Sequence, residues 1–234
     1  MRALPVVVLL VVGALLYLGA QEALRSRSLQ LARFEVTGNS EDRVSTDQVI
    51  RATGVKIGDQ LVGISTREVG ERLERLPWVR RARVERILPS TLRISVEERK
   101  ASLVVHTNQG PYLVDDRGLV LQQGSENLVN LVDLPLPVLS PGSVITTPEF
   151  THSARILRSL PDGIRDDVAT VRAASIDQIQ LEMSGGPVIY YGAAEDIQAK
   201  NHAADALLQR SADRPATAGI IDVRVPSRPS TRSL

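Results

Sequence analysis

The chain has 234 residues, 43% of them hydrophobic and 24% charged, with 28 basic against 27 acidic side chains. That length gives room for one or two folded domains beyond any targeting segment, and the near-neutral balance gives no whole-chain reason to expect nucleic acid. Cysteine is absent, which removes disulfides, thiolate metal sites and cysteine nucleophiles together.

Ala3 to Ala20 form a run of 18 residues without a charge. As a helix they reach about 27 Å, close to the roughly 30 Å hydrocarbon core of a bilayer. Pro5 falls in the first turn, where a missing N–H costs little. Cleavage after Ala20 would put Leu18 at the −3 position, a poor fit to a signal peptide. The run therefore reads as an uncleaved transmembrane anchor over residues 1–24, held in the lipid bilayer through residues 3–20, with a linker at 25–30. Arg2 precedes the span and Arg25, Arg27 and Arg33 follow it, so a count of basic residues places the carboxyl side in the cytoplasm. Large trailing domains are translocated largely regardless of such counts.

The first folded module opens with Phe34 and Val36 as a short strand that ends in the Thr37-Gly38-Asn39 turn. Ser45 and Gln48 make a capping box for a helix that Gly54 stops. Ser65 and Glu68 make a second box, and Val69, Leu73 and Leu76 share one face of the helix that follows. Pro77 ends that helix. Trp78 to Glu85 and Leu92 to Glu97 then alternate as two strands about a Pro89-Ser90 reversal.

This stretch, Leu76-Pro77-Trp78-Val79 through Ala82, Val84, Pro89, Leu92, Ile94, Val96, Glu98, Arg99 and Ala101, resembles the POTRA domain of the FtsQ/DivIB family of bacterial division proteins. The resemblance implies a β-α-α-β-β POTRA domain over 31–101 and a family-type β domain over 102–225. The basic residues of the strands, Arg80, Arg81, Arg83 and Arg93 among them, read as a solvated face with Glu85, Glu97 and Glu98 as counter-ions. A docking face for an acidic partner or for anionic lipid heads is the competing assignment. Trp78 reads as packing.

In the second module Leu103 and Val105 lead to Tyr112-Leu113-Val114, a turn at Asp115-Asp116-Arg117-Gly118, and a return through Leu119-Val120-Leu121. Turn chemistry accounts for the two aspartates better than a catalytic pair does. Thr147 caps a helix from Pro148 with Phe150, Ala154, Leu157 and Leu160 inward, and Pro161 and Gly163 stop it. Ile179, Leu181 and Met183 alternate as a strand, Gly185-Gly186 turns the chain, and Val188 to Tyr191 returns it. A helix from about Glu195 to Gln209 follows. Tyr191-Gly192 and Lys200 stand where the resemblance implies the family's Gly and Lys. The expected fold class is thus α+β: a transmembrane helix, a POTRA domain, then a mostly antiparallel β domain with two flanking helices.

The last expected strand is Gly219 to Val225, with Ile221, Val223 and Val225 on one face. Pro226 ends it, and residues 226–234 carry almost nothing to bury, so they read as a disordered tail. A final strand followed by such a tail is expected at a sheet edge, open to a partner strand; the competing assignment is an internal strand with both neighbours filled. The resemblance implies that this region recruits the FtsB/DivIC partner together with FtsL, through Ile221, Asp222, Val223, Arg224 and Val225, with Pro226 and Ser227 at the rim. Other division proteins are expected to bind through the POTRA domain and the anchor.

Little points to chemistry. His106, His152 and His202 lie far apart without metal-ligand spacing, and no nucleophile elbow or phosphate-binding glycine loop is present. No cofactor or metal is expected. The function implied is a non-enzymatic scaffold at the division septum, single-pass in the bacterial inner membrane with its bulk outside the cytoplasm. The alternatives are a POTRA-bearing assembly or secretion receptor and a cell-wall-modifying enzyme.

Overall fold

The computed structural model describes residues 13–14, 29–212 and 219–232. The expected anchor at 1–24 and linker at 25–30 lie outside the described residues, but for Gly13, Ala14, Leu29 and Gln30. No helix among the described residues is long and apolar enough to cross a membrane. The chain divides into two compact units between Arg99 and Lys100.

The first unit runs β1 (Arg33–Thr37), α1 (Thr46–Thr53), a 3-10 turn (Leu61–Gly63), α2 (Thr66–Leu73), β2 (Val79–Ile87) and β3 (Thr91–Glu98). Both helices start on the serines read as caps: Ser45 Oγ accepts from Gln48 N at 3.2 Å and Ser65 Oγ from Glu68 N at 3.4 Å. Such caps satisfy N–H groups that the first turn leaves without partners. Gly54 closes α1 with φ +67°. α2 stops at Leu73, one turn before the expected Leu76.

The sheet order is β1-β3-β2, with β1 parallel and β2 antiparallel to the central strand. Leu92 and Ile94 of β3 are sealed from water, as are Val49 of α1 and Val69 and Leu73 of α2. Each such side chain contributes about 1.5–3 kcal/mol by leaving water. A register shift at Val79/Arg81 turns Val79 inward and leaves Arg80 exposed, and Trp78, in the turn before the strand, is buried as well. Arg43 lies 4.4 Å above the Trp78 ring.

The second unit is built on one nine-stranded mixed sheet, ordered β12-β11-β10-β9-β8-β7-β4-β5-β6. Its strands are β4 (Leu103–Thr107), β5 (Gly110–Val114), β6 (Val120–Gln123), β7 (Val129–Val132), β8 (Val168–Ala173), β9 (Ile179–Met183), β10 (Val188–Tyr190), β11 (Ile220–Asp222) and β12 (Ser230–Arg232). The helices are α3 (Pro148–Ser159), the single turn α4 (Asp162–Arg165) and α5 (Ile197–Ala212). Phe150, Ala154 and Leu157 line the inner face of α3 as the sequence spacing required, and with Leu160 at its carboxyl cap they join one core with Leu131, Val171, Leu181, Ile189 and Ile221.

Three features depart from expectation. Five of the eight strand pairings are antiparallel, so the sheet is mostly antiparallel as expected, but β4 to β7, β7 to β8 and β10 to β11 pair in parallel, which was not foreseen. β7 and β8 carried no strand signal: β7 is four residues with only Leu131 fully buried, and β8 does not alternate cleanly. The third departure concerns the tail, where Ser230–Arg232 are ordered as β12. Pro226 does not release the chain to solvent. It occupies the second position of a turn that Arg228 N closes on Val225 O at 3.0 Å, a place that suits its fixed φ. Backbone ladder bonds hold β12, which is why a segment with little to bury is still ordered.

Candidate partner-docking edge of the second unit

The nine-stranded sheet ends at β6 and at β12. Beside β6 the chain covers itself. Val120 N donates to Ser143 O at 2.9 Å, Gly142 N to Val120 O at 2.8 Å and Ile145 N to Gly118 O at 2.8 Å. Upstream of that cover, Asp115 Oδ1 accepts from Arg117 N at 2.9 Å and Leu119 N at 2.8 Å, which is the turn chemistry expected of it. Beyond β12 no strand follows among the described residues. All three β12 residues are exposed.

The expected edge strand is therefore misplaced by one. β11 lies between β10, parallel to it, and β12, antiparallel to it. It spans only Ile220–Asp222, not Gly219 to Val225. Ile221 and Val223 are fully buried, and Val223 N donates to Tyr190 O at 3.0 Å. Neither can meet a partner directly. Asp222, Arg224, Val225, Pro226 and Ser227 form the rim instead, with Val225 57% exposed. The edge-strand residues missed by sequence reasoning are Ser230, Thr231 and Arg232. The signal that could have found them is the turn-forming Val225-Pro226-Ser227-Arg228, followed by β-branched Thr231.

Alternation fixes which backbone groups face outward. Val188 N donates to Gly219 O and Val223 N to Tyr190 O, both at 3.0 Å, so Ile221, between them, also turns its N–H and C=O towards β10. Ile220 and Asp222 then face β12, bonding their register partners Arg232 and Ser230. Thr231, opposite Ile221, is left with both its N–H and its C=O pointing away from β11, where no strand follows among the described residues.

The rim is strongly basic. Arg224 grips Asp222 through Nε–Oδ1 at 3.0 Å and Nη2–Oδ2 at 2.6 Å, and its guanidinium lies 5.6 Å from the Tyr190 ring. Gly192, at φ +71°, lets the Arg224 stem pass, since a Cβ there would meet Cγ at 3.0 Å. The hydrogen bond from the Arg224 side chain holds the Asp222 carboxyl below the usual carboxylate range; burial opposes it, and the Arg224 N–H and the charges of Arg224 and Arg232 add to the lowering. A lowered folded pKa means that this contribution is complete above the unfolded value of about 3.9 and fades as pH falls through the folded value. Protection of the β11–β12 hairpin amides, taken relative to their intrinsic exchange rates, is expected to fall on acidification below about pH 4 in the native protein more than in Asp222→Asn.

Lys200 is buried within α5, its Nζ donating to Ala193 O at 2.8 Å, and burial pushes its pKa down. Asn201 beside it accepts from the Tyr191 hydroxyl at 2.9 Å and donates to Ser159 O at 2.7 Å, tying α5 to α3. Both serve the scaffold behind the edge.

The basic strands of the first unit are largely answered by acids. Arg93 pairs with Glu35 at 3.0 Å, Arg80 with Glu97 at 3.5 Å, and Arg81 stands opposite Glu97. Arg83 faces Ser95. Such exposed pairs are worth about 0–1 kcal/mol each, and they favour a solvated face. Among the described residues no three His, Asp or Glu gather where they could hold a metal ion.

Comparison with known proteins agrees with this architecture. The family described as POTRA domain, FtsQ-type, matches residues 29–99, and the family described as cell division protein FtsQ/DivIB, C-terminal, matches residues 103–224. Cell division protein FtsQ of Streptomyces coelicolor is 31% identical over 210 residues, covering 86% of this chain and 77% of that protein. The protein of the same name from Corynebacterium glutamicum is 26% identical over 186 residues, covering 80% of this chain and 82% of the relative. With a FtsQ-type POTRA unit followed by the FtsQ/DivIB C-terminal unit in one chain, the protein belongs to the FtsQ/DivIB family of cell division proteins.

Proposed function

We propose that this protein is a non-enzymatic scaffold of the division machinery, anchored in the membrane by residues 3–20, that recruits an FtsB/DivIC–FtsL partner by accepting a strand at β12. The observation that carries this is the open edge: among the described residues nothing pairs with the outward N–H and C=O of Thr231, at the end of a nine-stranded sheet whose opposite end is covered by its own chain. An edge of this kind receives an extended peptide through main-chain bonds, with alternate side chains setting specificity. Within the described stretch 219–232, Arg224, Arg228 and Arg232 stand against the one acidic side chain, Asp222, so a partner strand flanked by Asp or Glu fits best. Docking of other division proteins on the POTRA unit belongs to the same proposal, with Arg83, which stands opposite Ser95 and not an acid, among its candidate contacts.

The test is localisation combined with capture. A fluorescent fusion is expected as a mid-cell band in dividing cells, and the FtsB/DivIC homologue is expected to co-purify with the chain. Uniform envelope fluorescence without co-purification would overturn the proposal and favour an assembly or secretion receptor.

A further inference from the structure

Three large apolar side chains stand in water on the first unit: Ile57 at 61%, Val62 at 42% and Leu88 at 66% exposure. They belong to separate segments that hydrogen bonds gather at one pole. Gly58 N donates to Leu31 O, Leu31 N to Asp59 O, Ala32 N to Ser90 O and Arg86 Nη1 to Val62 O, each at 2.8 Å. The sheet register agrees, since Arg33 at the start of β1 and Ile87 at the end of β2 both stand opposite Thr91. This is the pole through which the chain enters the unit. It leaves from the other, at the far end of β3, about 27 Å along an eight-residue strand.

One exposed leucine means little. Three at one pole, ringed by cations, form an amphipathic surface. The segments 29–33, 56–62 and 86–91 carry Arg33, Lys56 and Arg86, all exposed, against Asp59 alone. In sequence, Leu29 is nine residues beyond the end of the apolar run at Ala20, a span of at most about 30 Å even when fully stretched. A bilayer that holds the run is therefore within reach of this pole, and the opposite pole has no such tie.

We propose that the entry pole of the POTRA unit rests on the surface of an anionic bilayer, with Ile57, Val62 and Leu88 entering the boundary between headgroups and acyl chains. Arg33, Lys56 and Arg86 lie against the anionic headgroups. Shallow apolar burial joined to headgroup attraction is the mode by which surface-bound segments hold membranes. This inference rests on the membrane-anchor reading of residues 3–20 and adds a second, weaker membrane contact to it.

The absence of native cysteine allows a direct test on the full chain. Ile57→Cys, Val62→Cys and Leu88→Cys are labelled with an environment-sensitive fluorophore and reconstituted in vesicles of phosphatidylglycerol and phosphatidylcholine. Thr37→Cys, exposed at the opposite pole, is the water-facing control, and Leu16→Cys reports on the apolar run. Quenching by a lipid spin-labelled near its headgroup is expected to be at least about twofold stronger at the three pole positions than at Thr37, and to weaken when phosphatidylglycerol is left out. Pole labels as accessible to water as the Thr37 label, with the Leu16 label protected, would overturn the inference and leave the anchor standing. An unprotected Leu16 label would overturn the anchor itself. Protection of the pole that appears only when division partners are added would assign the patch to a protein and sink the lipid proposal.

Discussion

Thr231→Pro is expected to weaken capture of the partner strand by about 10- to 100-fold while leaving the protein folded. Proline removes the N–H that faces the open edge and sets a ring against the incoming backbone. That N–H takes no part in the ladder with β11, because Ile221 opposite it bonds towards β10. Thr231→Val keeps both the N–H and the β-branched shape, so it is expected to bind as the native chain does. Affinity measured by calorimetry or surface immobilisation against the FtsB/DivIC homologue separates the two variants. Val223→Pro, a natural choice from sequence, tests something else: it deletes the bond from Val223 N to Tyr190 O within a fully buried position. That change costs about 3 kcal/mol or more of stability, so lost binding would report unfolding. Undiminished capture by Thr231→Pro, with the β11–β12 hairpin intact by hydrogen exchange, would remove β12 as the docking strand.

Local chemistry was legible where a residue type admits one backbone role. Ser45 and Ser65 announced helix starts and Asp115 a turn, and each stands in that role; Pro77 announced a helix end, but α2 has already stopped at Leu73. The stripe on α3 was legible for the same reason, since Phe150, Ala154 and Leu157 fall on one helical face. Pairing across long separations was not legible. Nothing local in Leu103–Thr107 says that it lies parallel to Val129–Val132, with β8 beyond, because parallel neighbours meet through connections whose length hides the partner. The docking edge failed differently. Hydrophobicity marked Ile221 and Val223 as strand, but the most apolar strand of a terminal pair is the one the core claims. The polar strand outside it is the one a partner can reach, and Ser-Thr-Arg advertises no burial at all.

The second large effect is expected from a single methyl group. Gly38→Ala is predicted to destabilise the first unit by about 4 kcal/mol, the sum of two penalties. Gly38 has φ +81°, and a Cβ built there would lie 2.2 Å from Val96 O. A side chain in the left-handed region costs about 1–3 kcal/mol. Driving the β3 backbone aside to admit the methyl costs about as much again. Gly58 isolates the first penalty: its φ is +95°, yet nothing lies within 4 Å of its Cβ position, so Gly58→Ala is expected to cost about 1–3 kcal/mol. The consequence at Gly38 is severe because the chain crosses β3 there on its way from β1. Just beyond, Ser40 N and Oγ donate to Glu98 at 2.6 and 2.9 Å, pinning the crossing to the end of the central strand. A unit of this length has about 4–11 kcal/mol of total stability at ordinary values per residue. Gly38→Ala therefore consumes much of it. Trp78 is the single tryptophan of the chain and is buried in this unit, so urea unfolding followed by its fluorescence reads the first unit alone. A midpoint shifted no further by Gly38→Ala than by Gly58→Ala would show that β3 yields freely and that the close crossing is not what holds β1 in register.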